Sequence, residues 1–131
     1  MSSLEVKDFR YSFEKLDVWK ASIKFAKSIY QATSKFPSEE KFGLTSQIKR
    51  AVISISSNIA EGSAKKSLKD QARYTEIAYA SLLEVLNQLI LAYELEFISE
   101  ELLLHLRLEL ENLSKQINAL KNSQLRRINE Q

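Results

Sequence analysis

Three helix-breaking residues punctuate the 131 positions of this chain: Pro37, Gly43 and Gly62. The 69 residues after Gly62 contain neither glycine nor proline. Barrels, sandwiches and phosphate-cradling glycine loops need many tight turns, so a sequence this poor in turn residues argues against all three. Long, uninterrupted helices remain. The stretch Gln47–Gly62 shows how they are used. Leu44, Ile48, Ala51, Ile55 and Ile59 recur at helical spacing and form one apolar face. Beside them Gln47, Arg50, Ser54, Asn58 and Glu61 step by three or four residues and occupy a sector about 80° wide. A solvated helix face is usually a loose mixture of Lys and Glu. This one is a single file of short or forked hydrogen-bonding groups, suited to fixing the register of a neighbour. Ile53 and Ala60 lie on a third side.

Taken in order, residues 1–13 read as an irregular lead-in, with Phe9, Tyr11 and Phe13 alternating so as to pin it to the body. A first helix spans residues 16–34, with Leu16, Trp19, Ile23, Ala26 and Tyr30 as its inner stripe, and Phe36-Pro37 stops it. Ser38 followed by Glu39 and Glu40 suits a short helical turn. The second helix runs from about Leu44 to Glu61, with Gly62 placed as its carboxy-terminal cap. Ser67 and Asp70 have capping-box spacing and open a third helix that reaches about Glu96. Leu68, Ala72, Thr75, Tyr79, Leu82, Leu86, Leu89 and Tyr93 form its main stripe. Tyr74, Ile77, Ser81, Val85 and Ala92 form a second strip, so this helix needs partners on two sides. Ser99 opens the last helix, where Leu103, Leu106, Leu110, Leu113, Ile117 and Leu120 step 3-4-3-4-3 as in a packed left-handed seam. Residues 124–131 read as a frayed or disordered end. Four helices on short loops make an all-α, antiparallel up-down four-helix bundle over residues 14–123, one domain in a chain of this length.

Chemistry is scarce. There is no cysteine, no Gly-x-Ser-x-Gly elbow and no glycine-rich phosphate loop. His105 is the single histidine, with Glu101 and Glu109 one turn to either side; a di-iron bundle needs two Glu-x-x-His pairs. No enzymatic activity, cofactor or metal is expected. The first 15 residues lack the layout of a signal peptide and no run of about 18 apolar residues occurs, so a cytoplasmic protein without a membrane span is expected. Formal net charge is +2, but residues 1–73 hold 14 Lys and Arg against 8 Asp and Glu, whereas residues 74–131 hold 5 against 9. Oppositely charged halves can attract each other, or the basic part can meet a polyanion. Lys65, Lys66, Lys69 and Arg73 concentrate the positive charge at one loop and the helix start behind it, with Arg126 and Arg127 as secondary candidates. On one subunit they form a solvated cap; repeated around an oligomer they form a ring able to engage phosphates without reading bases.

Several of these residues fall in a familiar order. Leu16-x-Val18-Trp19 is followed by Phe36-Pro37-x-x-Glu40-x-Phe42-Gly43-Leu44, Gln47-x-x-Arg50-Ala51 and Ser54-Ile55-x-x-Asn58-Ile59-Ala60-Glu61-Gly62. Ala78, Ser81 and Glu84 fit the same pattern. Over residues 13–121 the chain resembles the four-helix bundle proteins of 23S rRNA intervening sequences, encoded within insertions in bacterial 23S rRNA genes or as free-standing genes. The resemblance implies a homopentameric, barrel-like assembly of antiparallel four-helix subunits, and it brings no established molecular activity. A similar protein, the accessory variability determinant of diversity-generating retroelements, binds nucleic acid through basic residues and also binds a reverse transcriptase. With no chemistry on offer, Gln47, Arg50, Ser54, Asn58 and Glu61 are read as a hydrogen-bonded seam between helices or subunits, with Ser81 or Glu84 as partners. The sequence thus predicts a non-enzymatic homo-oligomer that binds RNA or DNA through phosphate contacts at Lys65, Lys66, Lys69 and Arg73. The alternative is an adaptor that binds only protein, for which a reverse transcriptase is one partner class.

Overall fold

The computed structural model describes residues 11–131; Phe9, expected to pin the lead-in, lies outside them. Four helices follow one another: α1 Asp17–Thr33, α2 Leu44–Ser63, α3 Leu68–Glu94 and α4 Glu100–Asn129. Each packs on its neighbours in sequence, α4 returns to α1, and the backbones of the diagonal pairs stay apart. This is an up-down square bundle. The core is aliphatic, with Phe25, Ile29, Ile48, Ile55, Leu89, Leu106, Leu113 and Ile117 fully enclosed. The stripes expected of α2 and α4 are the faces buried: Leu44, Ile48, Ala51, Ile55 and Ile59 on one, Leu103, Leu106, Leu110, Leu113 and Ile117 on the other.

The first helix is turned relative to its expected stripe. Val18, Ser22, Phe25, Ile29 and Ala32 point inward, while Leu16, Trp19 and Ala26 flank the core and Tyr30 is exposed. Two stripes of similar apolarity compete on this helix, and Ser22 joins the buried one because its hydroxyl donates to the Trp19 carbonyl at 2.6 Å. Ahead of α1, a 3-10 turn at Ser12–Lys15 sets Phe13 edge-on against Trp19 at 5.0 Å between ring centres, so Phe13 packs on the body while Tyr11 is exposed.

Several helix ends are closed by a local device. Ser67 Oγ accepts from the Asp70 N–H and Ser99 Oγ from the Leu102 N–H, which caps α3 and α4. The amino end of α2 has no side chain at its cap, Gly43. There the Glu40 carboxylate, from a 3-10 turn at Ser38–Glu40, accepts the Leu44 N–H at 3.1 Å. A Cβ on residue 43 would lie 3.0 Å from that same Glu40 oxygen, so glycine leaves the carboxylate its place. Between α3 and α4 the chain passes through Glu96, at φ 63° the one non-glycine residue with positive φ among those described. Phe97 N donates to Ala92 O and Glu96 N to Tyr93 O, the paired bonds of a Schellman turn. Phe97 then packs on Phe36 at 5.7 Å, tying this turn to the end of α1.

Two expected boundaries move. Gly62 does not cap α2; it is buried inside the helix with negative φ, and a Cβ there would stand 2.8 Å from Tyr74 Cβ. Its role is to let α2 and α3 approach closely. At the other extreme, α4 continues to Asn129 rather than fraying after Ser123. Gln124 carries the inward register one step further and is buried, accepting a hydrogen bond from Thr75 Oγ1 at 2.9 Å.

Candidate nucleic-acid interface

The up-down topology brings the α2–α3 loop, the start of α1 and the end of α4 to one end of the bundle. Lys65, Lys66, Lys69 and Arg73 therefore share that end with Arg126 and Arg127. Lys66, Lys69 and Arg73 are exposed, and none of the four pairs with a carboxylate among the described residues. Lys65 is held differently. Its Nζ lies 4.9 Å above the Tyr74 ring, and its carbonyl accepts from Gln71 Nε2 at 2.9 Å. The cluster is thus one fixed cation and three unpaired ones, interrupted by Asp70. Lys69 and Arg73 stand on the outer face of α3, about half a turn round from Gln71 and Thr75, which face inward. Lys49 lies apart, over Tyr30 at 4.8 Å.

The opposite end carries the opposite sign. Residues 33–44 and 93–105 hold six carboxylates (Glu39, Glu40, Glu94, Glu96, Glu100 and Glu101) against Lys35 and Lys41. Charge in this molecule is segregated by bundle end as well as by sequence half. An open hollow of about 980 Å³ and mixed polarity lies on the acidic end, where Phe97, Leu102, Leu104 and Leu108 share the lining with Lys35, Glu94, Glu96, Glu101 and His105. Phe42, in the loop before α2, is 89% exposed.

The polar file on α2 splits into two parts. Ser81 Oγ donates to Ser54 Oγ at 2.9 Å, while Asn58 Nδ2 donates to Ser54 O at 2.8 Å and to Ser54 Oγ at 3.0 Å. Ser54, Asn58 and Ser81 are therefore joined between α2 and α3 within one chain. Glu84 reaches along α3 instead, accepting from Gln88 Nε2 at 3.2 Å. Gln47, Arg50 and Glu61 are exposed and make no side-chain bond among the described residues, and the buried Gln88 Oε1 has no partner. His105 is exposed, and no group of three or more His, Cys, Asp or Glu capable of holding a metal occurs among the described residues. No described helix is long and apolar enough to cross a membrane.

A sequence model of the 23S rRNA-intervening sequence protein family matches residues 14–119. The chain belongs to that family. A solved structure shares the fold: a protein of unknown function from the S23 ribosomal protein family of Bacteroides thetaiotaomicron superposes with a TM-score of 0.71. The two share 24% identity, over 79% of this chain and 97% of that one. No curated protein matches the sequence. In this member of the intervening-sequence protein family the signature residues are largely architectural. Phe36 packs on Phe97, Glu40 caps α2, Gly43 makes room for that carboxylate, Ser54 and Asn58 join α3, and Gly62 seats Tyr74. Phe42, Gln47, Arg50 and Glu61 are the exceptions, turned outward.

Reasoning from sequence missed Gln124, Thr75 and Arg127 as a group. Gln124 continues the 3-4 stepping of α4 by one more four-residue interval from Leu120, which was the available signal. Thr75 sits on the main stripe of α3 as a lone hydroxyl among apolar groups. With Arg127, these two line a hollow of about 250 Å³ between Leu16, Ile59 and Leu120 at the basic end.

Proposed function

We propose that this protein is a non-enzymatic, cytoplasmic homo-oligomer that binds RNA or DNA through phosphate contacts without reading base sequence. The observation that carries the reading is the gathering of Lys65, Lys66, Lys69, Arg73, Arg126 and Arg127 at one bundle end, with the four loop and α3 cations unmatched by carboxylates. Cations with no carboxylate partner are free to neutralise phosphates, and release of the counterions condensed on the nucleic acid then drives binding. Self-association is supported by the side of α3 left wet in the single chain, where Ile77, Leu83, Ile90 and Leu91 are all exposed. The outward part of the polar file, Gln47, Arg50 and Glu61, offers the directional contacts such an interface needs. The family resemblance makes a pentameric ring the assembly of choice, which would repeat the cation cluster around one rim.

Electrophoretic mobility shift with generic RNA tests the reading. Affinity is expected to fall steeply with salt and to vary little with sequence, and changing Lys65, Lys66, Lys69 and Arg73 together to Ser is expected to abolish the shift. Retention of RNA by the quadruple variant at unchanged salt dependence would refute it. A second reading, an adaptor for a protein partner such as a reverse transcriptase, is favoured by the exposed Phe42 and the hollow beside Leu104 and Leu108. Its mark is a partner captured by wild type and lost in Phe42→Ser, with no RNA shift.

A further inference from the structure

We infer that the hollow at the basic end seats one unpaired nucleobase, so that the protein prefers single-stranded nucleic acid to duplex. The inference rests on the phosphate-binding reading above and adds what the phosphates alone do not specify. The cavity measures about 250 Å³, the liquid volume of about eight waters at roughly 30 Å³ each, enough for a flat heterocycle of one or two rings. Its walls are Leu16, Ile59 and Leu120, which suit the faces of such a ring. Its floor is polar although almost sealed from solvent: Thr75 is 2% exposed and Gln124 4%. Arg127 stands at the lining, and the loop bearing Lys65 and Lys66 starts from the lining residue Ser63. A base in the hollow would therefore hang from a backbone passing Arg127 and the loop of Lys65 and Lys66, with Lys69 and Arg73 lying round the outer face of α3.

The floor also explains how one seat can take different bases. Thr75 Oγ1 has a single proton but two acceptors within reach, Gln71 O at 3.1 Å and Gln124 Oε1 at 2.9 Å. When that proton goes to Gln124, the Gln124 amide NH₂ is left without a partner among the described residues and is available to the cavity. When it goes to Gln71 O, the Gln124 amide can turn over and donate its NH₂ to Thr75 Oγ1, which leaves its carbonyl oxygen for the cavity. The amide keeps a hydrogen bond to Thr75 in both states. The cavity thus offers a donor or an acceptor to the edge of a base, and the choice follows the occupant. Recognition of unstacked bases by their edges is the usual route by which proteins engage single strands.

Strand type separates this seat from simple charge attraction. Duplex has the higher charge density and responds more strongly per phosphate contact, so cations acting alone favour duplex. Fluorescence anisotropy with a labelled single-stranded RNA of mixed sequence and its blunt-ended duplex, under one salt condition, measures the preference. Single strand is expected to bind on the order of tenfold more tightly, the scale that seating one base contributes. Gln124→Met, which keeps volume and removes the polar edge, is expected to erase most of that preference and leave duplex affinity unchanged. A strand carrying 2-aminopurine gives a readout on wild-type protein, independent of any variant's folding: its fluorescence rises when the base leaves the stack. Equal or tighter binding of duplex, or an unchanged 2-aminopurine signal on binding, overturns the base seat while leaving phosphate binding standing. Failure to bind any nucleic acid overturns both readings.

Discussion

Replacing Gly62 by alanine sets two opposing effects against each other, and the geometry decides between them. Alanine is the better helix former by about 1 kcal/mol in a helix interior, so on propensity alone the variant should be more stable. The new Cβ, however, would stand 2.8 Å from Tyr74 Cβ, and ordinary contact begins near 3.4 Å. The partner atom is fixed to the α3 backbone and cannot swing aside, so α2 and α3 must part by at least 0.6 Å at this crossing. A gap of that size forfeits on the order of a quarter of each dispersion contact it opens, and overpacking of this kind typically costs about 1–3 kcal/mol. Strain therefore wins, with a net loss of about 1 kcal/mol at the middle of that range and a melting temperature about 4 °C lower. Urea unfolding followed by circular dichroism measures it. Trimming Tyr74 to Ala should not rescue the variant, because the clashing Cβ remains, and the double-mutant cycle should show coupling below about 0.5 kcal/mol. A rise in stability for Gly62→Ala would refute the close crossing and show that propensity dominates.

Glu96→Gly should stabilise the chain by about 1 kcal/mol, because glycine occupies the left-handed turn position without the Cβ penalty that Glu96 bears; thermal unfolding reads it directly. Ser67→Ala and Ser99→Ala should each cost about 1 kcal/mol through loss of a cap, and the two losses should add, since the caps lie at opposite ends of the bundle. Glu76→Gln should change stability by less than about 0.5 kcal/mol, because the Lys121–Glu76 pair at 3.4 Å is solvent-exposed. Arg50→Ala should leave the stability of the isolated chain within about 0.5 kcal/mol while lowering the mass seen by native mass spectrometry; an assembly of unchanged mass would remove Arg50 from the interface.

The helices were legible because spacing and the shortage of turn residues both report on the same property, the burial of one face of a rod. The inner faces of α2 and α4 follow from that alone. For α1 the pattern admits two stripes about one residue apart, and the choice is made by contacts with α2 and α4 that no local rule contains. Gly62 is read wrongly for a similar reason: a glycine near the end of a helix usually marks a cap, and only the position of Tyr74 shows that it marks a close approach. The cation cluster was visible as a charge run. The amide-floored hollow beside it was not, because Thr75 and Gln124 are separated by 49 positions and meet only when α3 and α4 pack.

Carboxylates gathered at one extremity and cations at the other make the bundle a rod some 40 Å long with a permanent electric dipole along its axis. Near a strand of phosphates such a rod is turned before it touches, arriving basic tip first. The same torque keeps Phe42 and the hollow beside Leu104 pointing away from the strand. A molecule so bound would then present its acidic tip, with Phe42 on it, to whatever else is in solution.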